Sequence, residues 1–167
     1  GAVAGGWGAA GGAGEVGRGG GEYRCYDVED LAAAVSYEGP ASIWIHGDLP
    51  TRAQRDEFQA RLRAGREVPR PLIDLFRQVP ATIHPMDVLR TSVSVLAHFD
   101  PDVNAPPTDH AANVRKAERL IAQMATAVAH RERIVRGLEL VEPRDDLDHS
   151  ANFLYMINGG VPSETMR

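Results

Sequence analysis

The chain has 167 residues, 43% hydrophobic, 25% charged and 6% aromatic, with a formal net charge of −5. That balance fits one soluble globular domain, while no run approaches the ~18 apolar residues of a membrane-crossing helix and a net negative charge disfavours a dedicated nucleic-acid binder. Cys25 is the single cysteine, which excludes a disulfide scaffold; with no secretory signal in view, the expected location is the cytoplasm.

Residues 1–21 hold 11 of the 17 glycines. Such a segment is costly to order and offers little apolar surface in return, so a disordered tail is expected there. It contains two G-x-G-x-x-G matches, at Gly6/Gly8/Gly11 and Gly12/Gly14/Gly17. A dinucleotide loop requires a preceding strand and a following helix, and neither flanks these glycines, so both matches are compositional.

From residue 22 onward the pattern is helical, and the expected class is all-α. A short helix is read over Val28–Val35 and a second over Pro40–His46, ended by Gly47. Thr51 caps a third, with Ala53, Phe58 and Leu62 on its apolar face and six arginines between Arg52 and Arg70 on the solvated side. Pro71–Val79 forms a fourth, stopped by Pro80.

Two helices carry the most information. Pro85–Phe99 places Met86, Leu89, Val93 and Leu96 at 3-4-3 spacing, and Val88, Val95 and Phe99 widen the stripe, which predicts burial on more than one side. A turn-rich loop leads to Asp109–Gly137, whose seam runs through Val114, Ala117, Ile121, Met124 and Val128 and resumes at Val135 and Leu138. Four alanines between Ala122 and Ala129 would let another helix approach closely. Asp148 caps a last complete helix containing Ala151–Ile157, closed by Gly159-Gly160, and Ser163 looks like the start of one more.

Several local patterns suggest chemistry and fall short of it. Asp100-Pro101-Asp102-Val103-Asn104 opens like a calcium loop, but Ala105 and Ala111 stand where Gly and Glu are required. The run Asp145-Asp146-Leu147-Asp148-His149 has no second cluster at ligand spacing, so loop solvation and helix capping explain it. His84, before Pro85, is held out of the α region and is expected to hydrogen-bond backbone at the helix entry. Arg115, Lys116, Arg119, Arg131, Arg133 and Arg136 could meet phosphates but read better as a solvated helix face. No catalytic set is complete.

Five strings change the reading: Tyr23–Leu31 (YRCYDVEDL), Gly47–Thr51 (GDLPT), His84–Thr91 (HPMDVLRT), Arg115–Ala122 (RKAERLIA) and Ser150–Met156 (SANFLYM). In this order and spacing they resemble the citrate synthase family, in the style of bacterial citrate and 2-methylcitrate synthases, over roughly residues 22–167. The resemblance implies the N-terminal part of the large helical domain. It further implies an acyltransferase that condenses acetyl-CoA with oxaloacetate to citrate in the tricarboxylic acid cycle, with acetyl-CoA as co-substrate and no permanently bound cofactor. The family's catalytic groups, two histidines and an aspartate, are expected beyond Arg167, so none of the six histidines here takes their roles and this chain by itself is expected to be inactive.

The resemblance also implies a homodimer formed through Pro85–Phe99 and Asp109–Gly137, with Met86, Leu89, Val93, Leu96, Ile121, Met124, Ala125 and Val128 at the interface. No nucleic acid and no membrane partner is expected. The sequence departs from the family at Cys25, where a glycine is usual, and at Gly39-Pro40, at a helix start. Gln123-Met124-Ala125 stands where Lys-Leu-Pro usually kinks the long helix. The alternatives are a 2-methylcitrate synthase fragment, a non-catalytic helical dimerisation module and a helical binding protein unrelated to the synthases.

Overall fold

The computed structural model describes residues 22–23, 26–27 and 36–163. Within them lie two-residue strands β1 (Glu22–Tyr23) and β2 (Tyr26–Asp27), paired antiparallel, and six helices. The helices are α1 (Glu38–His46), α2 (Arg52–Ala64), α3 (Arg70–Gln78), α4 (Pro85–His98), α5 (His110–Val135) and α6 (His149–Asn158). The all-α expectation holds apart from the small hairpin. The glycine-rich tail, the Val28–Val35 helix, Cys25 and the residues after Ser163 lie outside the described residues.

The helix ends follow from local chemistry. Thr51 and Gln54 form a capping box: the Gln54 N–H donates to Thr51 Oγ1, and the Thr51 N–H donates to Gln54 Oε1 at 2.9 Å. Asp109 Oδ1 accepts from the Ala112 N–H and Asp148 Oδ1 from the Ala151 N–H, which caps α5 and α6. Gly137 closes α5 in a left-handed conformation (φ 68°), with the Leu138 N–H reaching back to the Arg133 carbonyl. Gly39 and Pro40 sit in the first turn of α1, where the missing proline N–H is not needed. The long helix runs unbroken through Gln123-Met124-Ala125.

Helix α5 is the axis of the molecule, and apolar clusters pack on two of its sides. Leu72 and Phe76 of α3, Val88 and Leu96 of α4 and Ala127 of α5 form one; Ala41 of α1, Phe58 and Leu62 of α2 and Ala122 of α5 form the other. Small residues on α5 permit this double layer. Ala122, Ala127 and Ala129 are fully buried, and a Cβ added to Gly65 would lie 3.5 Å from the Ala122 Cβ. The close approach expected at these alanines is therefore made largely within the chain.

Three sequence expectations need correction. In α2 the apolar face is Phe58 and Leu62; Ala53 is exposed. In α4 the buried line is Val88, Ser92 and Leu96, with the Ser92 hydroxyl returned to the Val88 carbonyl at 2.8 Å. Met86 (62% exposed), Val93 and Phe99 look outward instead. Third, the arginines do not all solvate helix surfaces. Arg66 is 3% exposed and donates to the Arg144 and Leu147 carbonyls, which gives these backbone acceptors a partner inside the fold.

Candidate functional site

An apolar groove of about 820 Å³ runs along the outward face of α5. Its floor is Ile121, Met124, Ala125 and Val128, the seam anticipated from helical periodicity. Leu89 of α4 forms one wall, Phe153 and Leu154 of α6 the other, and Tyr37 and His149 close one end. A second hollow of about 380 Å³ continues it past Leu89 and Val128 toward Ile83, His84 and Arg131. Among the described residues no lysine, arginine or carboxylate lines the main groove, so it suits an apolar surface rather than a charged metabolite.

Of the eight residues expected at an interface, Leu89, Ile121, Met124, Ala125 and Val128 come together here. Met86 is exposed nearby on α4. Val93 borders a separate hollow of about 170 Å³ with Lys116 and Gln123, and Leu96, which also borders it, is 3% exposed in the core.

Several charged groups of α5 are committed to ion pairs with other segments. Arg61 on α2 grips the buried Glu118 of α5 through Nε and an Nη at 2.8 and 2.9 Å, and His46 on α1 lies 3.4 Å from the same carboxylate. This hydrogen-bonded pairing raises the Arg61 pKa. Arg119 binds both Asp100 and Asp102, and Arg115 binds Asp102, so the loop before α5 is fastened to the helix that follows it. Hydrogen bonds from Arg119 hold the Asp100 carboxyl below its ordinary range, and those from Arg115 and Arg119 do the same for Asp102. The calcium-loop pattern is thus an ion-pair knot.

Arg131 and Arg133 serve other helices. Arg131 donates to the Phe76, Val79 and Pro80 carbonyls at the end of α3, and Arg133 donates to Ile157 at the end of α6 and to Glu139. With Arg115 and Arg119 paired to aspartates, four members of the basic run are structural ties rather than a phosphate site. His84 Nδ1 accepts from the Met86 N–H at 3.2 Å, the capping role expected of it. Among the described residues no group of three or more His, Cys, Asp or Glu could hold a metal ion. Among them, too, no helix is long and apolar enough to cross a membrane.

One cluster escaped sequence reasoning. Glu38, 2% exposed, accepts from the His149 N–H at 3.4 Å, and the Tyr37 ring stacks on the His149 ring at 4.5 Å. These pairs are more than a hundred positions apart, so no local pattern points to them. Burial drives the Glu38 pKa up, but hydrogen bonding from Ser36, His149 and Gln59 outweighs it and the net shift is downward. Burial and the neighbouring Arg66 lower the His149 pKa.

The family model for "Citrate synthase, C-terminal domain" matches residues 10–167. This chain belongs to the citrate synthase family. It is 44% identical over 140 residues to a 2-methylcitrate synthase of Mycobacterium tuberculosis (strain H37Rv), covering 84% of this chain and 35% of that protein. It is 39% identical over 146 residues to a citrate synthase of Haloferax volcanii, covering 86% of this chain and 38% of that protein. The fold agrees with the crystal structure of citrate synthase from Pyrobaculum aerophilum at a TM-score of 0.79 and 35% identity, over 85% of this chain and 37% of that one. The chain thus spans between 35% and 38% of the length of these citrate synthase relatives. The resemblance carried by the HPM and ANFLYM strings is borne out at the level of family and fold.

Proposed function

We propose that this chain is the opening stretch of the large helical domain of a citrate synthase, and that its outward α4–α5 face packs against a second copy. The complete enzyme would condense acetyl-CoA with oxaloacetate to citrate. An aspartate would take a proton from the acetyl methyl group while one histidine stabilises the enol and the other polarises the oxaloacetate carbonyl; the citryl-CoA thioester is then hydrolysed. Those three groups belong to polypeptide after Arg167. The residues present contribute a scaffold and a docking face, in a cytoplasmic enzyme without a permanently bound cofactor.

The observation that carries the docking part is the groove. Leu89, Ile121, Met124, Ala125 and Val128 line one uncharged concavity, and Met86 extends the apolar surface beside it. A twofold contact needs an apolar face that two copies share, and the place of this groove along the longest of the described helices supports that reading. A second reading has its own support: a 44% identical relative is a 2-methylcitrate synthase, so the acyl donor could be propionyl-CoA rather than acetyl-CoA.

Two measurements test the proposal. The purified 18.1 kDa chain should sediment as a dimer, and Met124→Glu or Val128→Glu should return it to monomer; a monomeric wild type at tens of micromolar would sink the docking part. The chain alone should release no CoA from acetyl-CoA or propionyl-CoA when oxaloacetate is added. Expression with the reading frame that follows Arg167 should restore release, and the faster of the two thioesters identifies the donor. Activity from the chain alone would refute the placement of the catalytic groups.

A further inference from the structure

We propose that Tyr37 and His149 form a pH-operated latch joining the N-termini of α1 and α6 across one end of the apolar groove. The Tyr37 ring lies on the imidazole with centroids 4.5 Å apart and planes 11° from parallel. Tyr37 is the N-cap of α1 and makes no capping hydrogen bond with its side chain, so the ring is available for the stack. One covered face leaves Tyr37 44% exposed, whereas His149 is 8% exposed. Both rings line the groove, so the stack is also its end wall.

The surroundings favour the neutral imidazole. His149 is the first residue of α6, where the helix dipole places positive potential. Arg66, from the segment between α2 and α3, adds a full positive charge, and burial removes the water that would stabilise a second. Among the described residues the negative groups are Glu38 on α1 and Asp148, the cap of α6. Each already accepts from a backbone N–H, Glu38 from His149 and Asp148 from Ala151. No charged side chain of α5 lines this end of the groove.

A proton on His149 therefore sets an imidazolium beside a guanidinium at a helix N-terminus. It leaves that position most readily by swinging out of the stack toward water or toward Glu38 Oε2, which lacks a well-formed hydrogen bond. Either movement frees Tyr37 and loosens the first turn of α1. Acidification thus opens this end of the groove, and neutral pH closes it.

Amide hydrogen exchange over residues 37–43 tests this, measured at about pH 7.5 and about pH 5.5 and corrected for intrinsic exchange. In the wild type, protection of this turn should fall about fivefold or more on acidification. His149→Phe keeps a ring in place without a titrating nitrogen and should show no such fall; Tyr37→Ala should be poorly protected at both pH values. Unchanged or increased wild-type protection at the lower pH, or an equal fall in His149→Phe, overturns the latch. A proton NMR titration of the wild type needs no variant. The Tyr37 ring signals should move with the His149 midpoint, below the ordinary histidine value; Tyr37 signals indifferent to that titration refute it. Both measurements are made at one chain concentration with the oligomeric state checked at each pH, so that a change of assembly is told apart from a change at the stack.

Discussion

Arg61 holds Glu118 by two parallel hydrogen bonds, and the two ends of this pair differ sharply in burial. The Arg61 side chain is 47% exposed; that of Glu118 is 7% exposed. Removing the arginine strands a buried carboxylate with His46 as its remaining ion-pair partner among the described residues, whereas removing the carboxylate leaves a guanidinium that water can reach.

Arg61→Ala should therefore destabilise the fold by about 2 kcal/mol, the usual cost of breaking a buried pair discounted because one partner is half in water. Glu118→Gln should cost less. The double variant should be more stable than Arg61→Ala alone, because the orphaned charge has gone. Urea denaturation of the four proteins checks the ordering, and additive effects would count against it.

The buried residues of α5 set a limit on side-chain size. Ala122→Leu should destabilise by about 2 kcal/mol, since Phe58, Leu62 and Gly65 leave no room for three more carbons. Gly65→Ala should be close to neutral: its added Cβ meets its neighbours at 3.4 Å or more, and φ is −94°. Thermal melts of the two variants should separate clearly.

Arg133 fastens the end of α6 to the segment after α5 and is 8% exposed. Arg133→Met should cost about 3 kcal/mol by leaving the Ile157 and Glu139 carbonyls without donors. Arg133→Lys should recover less than half, because an ammonium cannot serve the two directions a guanidinium fork does. Chemical denaturation reads both.

Stability should fall in two separate pH windows. Burial lowers the pKa of His130 and His149, so the unfolded chain takes up protons first; stability declines as pH falls below about 6.5 and levels off beneath the folded values. The Asp100 and Asp102 carboxyls are also lowered, chiefly by hydrogen bonds from Arg119 and Arg115, so their contribution is complete above about pH 4 and declines below it. His130→Gln should make the upper window shallower, leaving the His149 share, and Arg119→Gln should do the same to the lower one, leaving the share that Arg115 gives Asp102. Denaturation midpoints measured across the pH range check the assignment.

Much of the backbone was legible from residue order alone. Thr51, Asp109, Asp148, Gly47, Gly137 and Gly159 mark helix ends because capping is settled within four or five residues. The seam Ala117–Ile121–Met124–Val128 emerged from helical periodicity for the same reason. The five family strings carried the kinship, since specific residue identities survive in a linear text without any contacts.

Tertiary structure decided what faces what. Periodicity grouped Met86, Leu89, Val93 and Leu96 on α4, yet that helix is apolar on several sides, and only the position of α3 and α5 selects Val88, Ser92 and Leu96 for burial. Arg66 and Arg133 look like surface residues until the chain brings unpaired carbonyls to them. Glu38, Tyr37 and His149 meet across more than a hundred positions. Hydrogen-bond geometry along a helix is local and short-ranged, while desolvation depends on which distant segments exclude water, and folding alone supplies that.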